Sequence, residues 1–141
     1  MKWKLREPAA YLLCAILIWR FTSPLEETEF SGGQITARLL NMAEIGILLF
    51  ITAAILVFLS SRISAGTAAI ACLTSLPMYA YFAFPKAFQQ LFPGEYSVPG
   101  SAYSAWGRSY IGIVTLLLAL LFSIRTLLNL NASKPNPLPR L

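Results

Sequence analysis

The stretch from Leu39 to Ser60 reads LLNMAEIGILLFITAAILVFLS and contains a single charged residue, Glu44. About 20 predominantly apolar residues are enough for an α-helix to cross the hydrocarbon core of a bilayer. The stretch therefore predicts a transmembrane helix. A carboxylate inside such a helix is costly unless it is paired or lies near the membrane interface. Glu44 is for that reason the first candidate functional residue.

The composition of the whole chain is typical of a membrane protein. The 141 residues are 57% hydrophobic and 12% charged, whereas a soluble domain carries about 25% charged residues. We expect one membrane domain over residues 1–128, followed by a flexible proline-rich tail over residues 129–141. The net charge of +5 does not indicate a nucleic-acid partner, because the basic residues flank apolar segments instead of clustering on a polar element.

Four apolar segments predict an all-α, integral membrane four-helix bundle. The expected spans lie near residues 8–22, 38–60, 66–84 and 108–128, with a tight turn over residues 60–66. Only helices cross a membrane as single segments, because lipid offers the backbone no hydrogen-bond partners. The first segment resembles a signal peptide, but no A-x-A cleavage pattern follows it, so we interpret it as an uncleaved span. Short interfacial helices are expected in the outer loops, at residues 24–30 and around Phe88–Phe92.

The third segment is rich in small residues, which let helices approach closely in lipid. Thr67, Ala71 and Ser75 form one row at i, i+4 spacing and Ala68 and Cys72 form another, so this span is expected to be the most surrounded. The other cysteine, Cys14, also lies in an apolar segment, and the chain has no CxxC motif. Both thiols are therefore expected to be buried and to act as small apolar groups. At the end of the span, four aromatic residues predict an interfacial belt: Tyr79, Tyr81, Phe82 and Phe84.

The basic residues predict the orientation of the bundle. Four spans place both termini on one side, and seven of the eleven basic residues fall there: Lys2, Lys4, Arg6, Arg62, Arg125, Lys134 and Arg140. The remaining four are Arg20, Arg38, Lys86 and Arg108. The positive-inside rule then predicts cytoplasmic termini.

Arg20, Asn41 and Glu44 form the candidate ligand-binding site, because this topology puts them near the outer boundary on consecutive spans. One side of the second span is expected to be buried through its polar bias: Asn41, Glu44, Leu48 and Thr52. The opposite side would meet lipid or a partner subunit: Gly46, Phe50, Ala53 and Val57. Three interpretations remain open for the site. It is a polar pocket for a head group, quinone or ion, or a structural Arg20–Glu44 ion pair, or two charges that snorkel separately to the interface.

The chain from Ala37 to Leu76 resembles the second and third spans of the DoxX-like family of small four-span membrane proteins. The resemblance is carried by Ala43-Glu44-Ile45-Gly46, by an aliphatic run, by a short turn with Arg62 and by an alanine-rich third span. Arg20 stands where that family often has a lysine. The resemblance implies a four-span fold. It also implies a link to quinone-dependent oxidation or to the maturation of redox partners.

The sequence leaves three functional interpretations. The chain has no histidine, which removes the commonest general base and metal ligand. The first interpretation is therefore a small inner-membrane protein that is a non-catalytic accessory subunit or an assembly helper, with a membrane protein or a second copy as partner. The second is a DoxX-like, quinone-linked redox subunit using Arg20, Asn41 and Glu44. The third is a small-solute transporter acting as an oligomer. The sequence identifies no cofactor, and it leaves enzymatic activity open.

Overall fold

The computed structural model of the chain describes residues 5–27, 34–84, 87, 90–91 and 100–132. Most of this part of the chain forms four long α-helices: α1 Arg6–Glu27, α2 Gln34–Leu56, α3 Ser61–Ala83 and α4 Gly100–Ala132. Ala87, Gln90 and Leu91 are also helical, and the described residues contain no strand. The predicted all-α bundle is confirmed. By length and composition, three helical segments can cross a membrane: Arg38–Leu56, Ser61–Ala83 and Ser109–Ala132.

The helices run in alternating directions. Tyr11, near the start of α1, lies beside Ser64 at the start of α3 and Ser123 near the end of α4. Phe21, towards the end of α1, packs its ring on Tyr79 towards the end of α3, with ring centroids 4.5 Å apart. In packing order, α2 lies between α1 and α3, and α3 lies between α2 and α4.

The end of α1 differs from the sequence prediction. The Ser23-Pro24-Leu25-Glu26 pattern predicts that a first span ends near residue 22 and that a separate helix begins at Pro24. Instead α1 is one continuous helix from Arg6 to Glu27. Pro24 removes one backbone hydrogen bond, because it has no N–H and its ring crowds the carbonyl four residues before it. This close to its end, the helix tolerates the loss and continues to Glu27. Residues 28–30 of the expected outer helix lie outside the described part of the chain.

The turn between α2 and α3 comes earlier than the predicted residues 60–66. α2 ends at Leu56, and the amide of Ser60 donates to the Leu56 carbonyl at 2.8 Å. Ser60 then caps α3: its backbone is extended and its hydroxyl accepts from the amide of Ile63 at 3.5 Å. Serine is a favoured N-cap because its oxygen satisfies an otherwise unpaired amide. Arg62 therefore lies on the exposed first turn of α3.

α4 is longer than predicted, since it begins at Gly100 instead of near 108 and ends at Ala132 instead of near 128. It thus includes the start of the segment assigned to the tail. Of the helix expected around Phe88–Phe92, the structure describes Gln90 and Leu91, which are helical and exposed. The rest of that helix and the tail beyond Ala132 lie outside the residues whose structure is described.

The core is centred on α3, as the small-residue pattern predicts. Of the three candidate spans it is the most covered. In its most apolar stretch 44% is buried, against 33% in α2 and 17% in α4. Its small residues Ala68, Ala71, Cys72 and Ser75 are completely buried, whereas Thr67 of the same pattern is only partly buried. Cys14 and Cys72 are buried and free, which confirms the prediction for both thiols.

The predicted aromatic belt at the end of α3 is wrong for three of its four members. Tyr79, Tyr81 and Phe82 are buried, and only Phe84 is exposed. The rings turn inward because Phe21 of α1 offers them aromatic partners: its centroid lies 4.5 Å from that of Tyr79 and 5.6 Å from that of Phe82. Tilted and edge-on ring pairs of this kind add to the stabilisation that burial provides.

Candidate functional site

The face of α2 that carries Glu44 points away from the core. Four residues on this face are exposed: Asn41, Glu44, Leu48 and Thr52. Gly46, Phe50 and Ala53 are buried, and Val57 packs against the core. The two faces are therefore the reverse of the sequence prediction. Small residues decide the packing of α2 because helices associate in lipid by close van der Waals contact, which a polar bias does not provide.

Arg20 is also exposed, and it lies on the outward side of α1. Its neighbours on that side are the exposed apolar residues Leu13, Ile16 and Trp19. Arg20 and Glu44 thus each lie on the outer surface of their own helix. Arg20, Asn41 and Glu44 are not enclosed in a pocket between helices. Their role in binding a ligand stays a prediction, and any ligand there would be held at the protein surface.

The polar groups in the interior belong to other residues. Tyr11 of α1, Ser64 of α3 and Ser123 of α4 form a buried group that we term the hydroxyl cluster. These side chains are 3%, 1% and 0% exposed, and both serine side chains lie close to the tyrosine hydroxyl. Ser64 Oγ donates to the carbonyl of Ala53 on α2 at 2.7 Å. All four helices therefore meet at this cluster.

The two serine hydroxyls of the cluster donate to backbone carbonyls. Ser64 gives its single proton to the carbonyl of Ala53, and Ser123 gives its own to the carbonyl of Ala119 at 2.9 Å. The serine oxygens keep their lone pairs as acceptors beside the Tyr11 hydroxyl. Hydroxyls arranged in this way fix helices against each other and bind polar groups.

A second polar contact joins the helices at the other end of the bundle. Tyr79 extends from α3 into the space between α1 and α4. Its hydroxyl donates to the carbonyl of Leu17 at 3.5 Å, and its ring lies directly against Gly112. Tyr110 of α4 donates to the carbonyl of Ala83 on α3 at 3.2 Å.

Sequence reasoning missed the hydroxyl cluster. Single serines and tyrosines are common in membrane spans, so none of the three residues by itself indicates a buried polar group. A signal was nevertheless present, because Tyr11, Cys14 and Ile18 recur at helical spacing and form one buried face of α1. Because Leu13 and Ile16 lie on the opposite face of α1, the face with Tyr11 is the inner one, and the Tyr11 hydroxyl therefore points into the bundle.

The described residues do not assemble a metal centre: no group of three or more histidine, cysteine, aspartate or glutamate side chains lies together in this part of the chain. Comparison of the chain with protein-family models, curated proteins and solved structures gives no match. The resemblance to the DoxX-like family thus rests on the sequence features alone.

Proposed function

We propose that this protein is a small inner-membrane protein with four spans that acts as a non-catalytic accessory subunit or assembly helper. The observation that carries the proposal is the outer surface of α4. Its segment Ser109–Ala132 is the most apolar of the three candidate spans, with a mean hydropathy of 2.3, yet only 17% of its most apolar stretch is buried. A helix so apolar and so little covered by its own bundle offers its outer side to lipid and to a partner subunit.

The distribution of residues on α1 supports a fourth span. Leu13, Ile16 and Trp19 are exposed on its outer side, whereas Tyr11 and Thr22 are buried on its inner side. A helix with a mostly apolar outer side, whose Tyr11 and Thr22 hydroxyls are buried, suits a lipid surrounding, since polar side chains in a membrane tend to face the interior of the bundle. Arg20 lies near the end of α1, where its long side chain reaches the interface.

The test is purification of the full chain, with an affinity tag, from the membranes of cells that naturally make it. Two double variants are compared with the unmodified protein. Leu118→Ala/Leu121→Ala trims the outer side of α4 at residues that are 62% and 63% exposed, and Leu48→Ala/Ile55→Ala trims α2 at residues that are 65% and 62% exposed. We expect one membrane protein to copurify in fixed stoichiometry with the unmodified chain and the α2 variant, and to be lost from the α4 variant. Equal recovery with all three forms would remove α4 as the docking side.

A DoxX-like redox role is the alternative that the same sample tests. The exposed positions of Arg20, Asn41 and Glu44 do not favour an enclosed quinone site formed by these residues. Solvent extraction of the purified protein measures its quinone content. Stoichiometric quinone without a protein partner, lost on Glu44→Gln, would replace the accessory role by the redox role.

A further inference from the structure

The end of the bundle that contains the hydroxyl cluster carries exposed cations on three helices. Arg6 lies at the start of α1, Arg62 on the first turn of α3 and Arg125 in the last third of α4, and all three side chains are exposed. Neither α3 nor α4 contains an acidic residue, so Arg62 and Arg125 have no carboxylate on their own helices. Within the described helices, Glu7 beside Arg6 is the only acid at this end. This end of the bundle therefore carries a surplus of positive charge.

Arg62 and Arg125 lie at similar depths on neighbouring helices. α3 packs extensively on α4, and the ring of Tyr79 on α3 lies against Gly112 on α4. At about 1.5 Å per residue, Arg125 lies about 20 Å along α4 from Gly112, and Arg62 lies about 26 Å along α3 from Tyr79. The tyrosine ring leans towards the start of its own helix, and therefore towards Arg62, which shortens the second distance. The two cations are thus near one level of the bundle.

On α4, an exposed apolar stripe leads from Arg125 towards the middle of the helix. Leu121, Leu118 and Val114 lie on the same face as Arg125 and are 63%, 62% and 56% exposed. A cation on a lipid-facing surface is costly in the hydrocarbon core. At the interface, however, an arginine keeps its stem on apolar surface and its guanidinium among the head groups. In a membrane, the level of Arg125 is therefore where this stripe meets the head-group layer.

On α3, the face that carries Arg62 continues with a gap and then with apolar side chains. Gly66, one turn further along, leaves open space, since a β-carbon there would have no atom within 4 Å. Ile70 and Leu73 follow and are 55% and 58% exposed. This face offers a cation, then space beside the backbone, then apolar surface. A phospholipid presents its phosphate, its glycerol and its acyl chains in the same order.

We propose that Arg62 and Arg125 bind the phosphate groups of anionic phospholipids in the adjoining leaflet, with the acyl chains of these lipids on the exposed faces of α3 and α4. A guanidinium binds a phosphate through paired, charge-assisted hydrogen bonds. A lipid with net negative charge is favoured over a zwitterionic lipid, because the ammonium group of the latter would add positive charge at an end that already has a surplus. The inference rests on the proposed membrane insertion of the bundle. Resistance of the protein to alkaline extraction from membranes tests that insertion separately.

The proposal is tested by native mass spectrometry of the full chain in detergent, titrated with phosphatidylglycerol or with phosphatidylcholine of the same acyl chains. Arg62→Gln/Arg125→Gln removes both cations. The matched control is Arg20→Gln/Arg38→Gln, which removes two exposed arginines towards the opposite end of the bundle and changes the net charge equally. Circular dichroism confirms that each variant is folded. If the Arg62→Gln/Arg125→Gln form does not fold, its two single substitutions take its place, and each should lose part of the lipid preference.

We expect the unmodified chain to bind phosphatidylglycerol more tightly than phosphatidylcholine by a factor of about five or more. The preference should disappear in Arg62→Gln/Arg125→Gln and persist in the control. Equal affinity of the unmodified chain for the two lipids would overturn the proposal. An equal loss in both double variants would also overturn it, because binding would then follow net charge alone. Inorganic phosphate is added in a parallel titration, and its displacement of phosphatidylglycerol at equal concentration would assign the arginines to a free anion instead of a lipid.

Discussion

Gly46 has no room for a side chain, because α2 meets α3 at this residue. A methyl group there would collide with Ser75 Oγ, and the Ala71 carbonyl oxygen at 3.3 Å limits retreat on the other side. We expect Gly46→Ala to lower the free energy of unfolding by about 1–3 kcal/mol, as overpacking of a close-packed interior does. Thermal unfolding in detergent measures the change.

Gly66→Ala is the matched control for this substitution, since a β-carbon at Gly66 would have no atom within 4 Å. Alanine is the better helix former by about 1 kcal/mol, so this control should be neutral or stabilising. Adding Ser75→Ala to Gly46→Ala removes the colliding hydroxyl, which has no hydrogen-bond partner among the described residues, and should recover part of the loss. If Gly46→Ala were tolerated as well as Gly66→Ala, the close approach of α2 and α3 at this point would be wrong.

Phe50 and Leu48 test which side of α2 is the interior. Phe50 is completely buried and Leu48 is 65% exposed, although they are only two positions apart. Phe50→Ala should therefore cost about 3–5 kcal/mol through the cavity that it leaves, while Leu48→Ala should cost less than about 1 kcal/mol. Unfolding midpoints of the two variants in one detergent give the comparison. A larger loss for Leu48→Ala would restore the orientation of α2 predicted from its polar residues.

Residue identity predicted burial well where size decided it and poorly where polarity was taken as the guide. The small residues of α3 and both cysteines are buried as their size and surroundings predict. The orientation of α2 was reversed because Glu44 and Asn41 were expected to avoid lipid. Near the end of a span, however, polar groups reach the interface at low cost, and α3 lies so close to residue 46 of α2 that no side chain fits there.

At the scale of the helices, Ser64 forms the one hydrogen bond of the hydroxyl cluster that links α2 directly to α3. Its Oγ donates to the Ala53 carbonyl at 2.7 Å in a fully buried site. Ser64→Ala should lower the free energy of unfolding by about 0.6 kcal/mol, the average for hydrogen bonds between membrane helices, and by no more than about 1.7 kcal/mol, the largest value.

Thr67→Ala is the control for Ser64→Ala on the same helix. The Thr67 hydroxyl donates at 2.8 Å to the Ile63 carbonyl of its own helix, so its removal breaks no contact between helices and should change stability by less than about 0.5 kcal/mol. Equal effects of the two substitutions on thermal unfolding would show that the Ser64–Ala53 bond does not contribute to helix association.

The helix ends illustrate how far local sequence rules reach. Ser60 follows the N-cap rule, and its cap places the start of α3 at Ser61. Pro24 follows a similar pattern, yet α1 continues past it to Glu27. A capping pattern states that a helix is able to begin there, but whether the preceding helix ends first depends on packing with neighbours that are distant in sequence.

At the scale of the whole molecule, the alternating helix directions give the two ends of the bundle different chemistry. Arg6, Arg62 and Arg125 lie at the end that contains the hydroxyl cluster, and all three are exposed. Arg20 and Glu44 lie towards the opposite end, where the rings of Phe21 and Tyr79 pack together. Apolar periodicity was sufficient to predict four helices and a bundle. The side chains that pack inside each end of the bundle could not be predicted, because this depends on which residues of different helices come into contact.

The asymmetry of charge predicts the orientation of the protein in the membrane. Seven of the eleven basic residues belong to the termini or to the end of the bundle where α1 begins and α4 finishes, and the side with more basic residues in its short loops stays in the cytoplasm.

The measurement uses single cysteines at Ser133 and Ser101 in a background without Cys14 and Cys72. We expect a membrane-impermeant maleimide to label Ser101→Cys in intact cells and to label Ser133→Cys only after the membrane is opened. A permeant maleimide labels both variants in either orientation and so controls for buried thiols. Labelling of Ser133→Cys but not Ser101→Cys in intact cells would place the termini outside, and the basic residues would then not determine the topology.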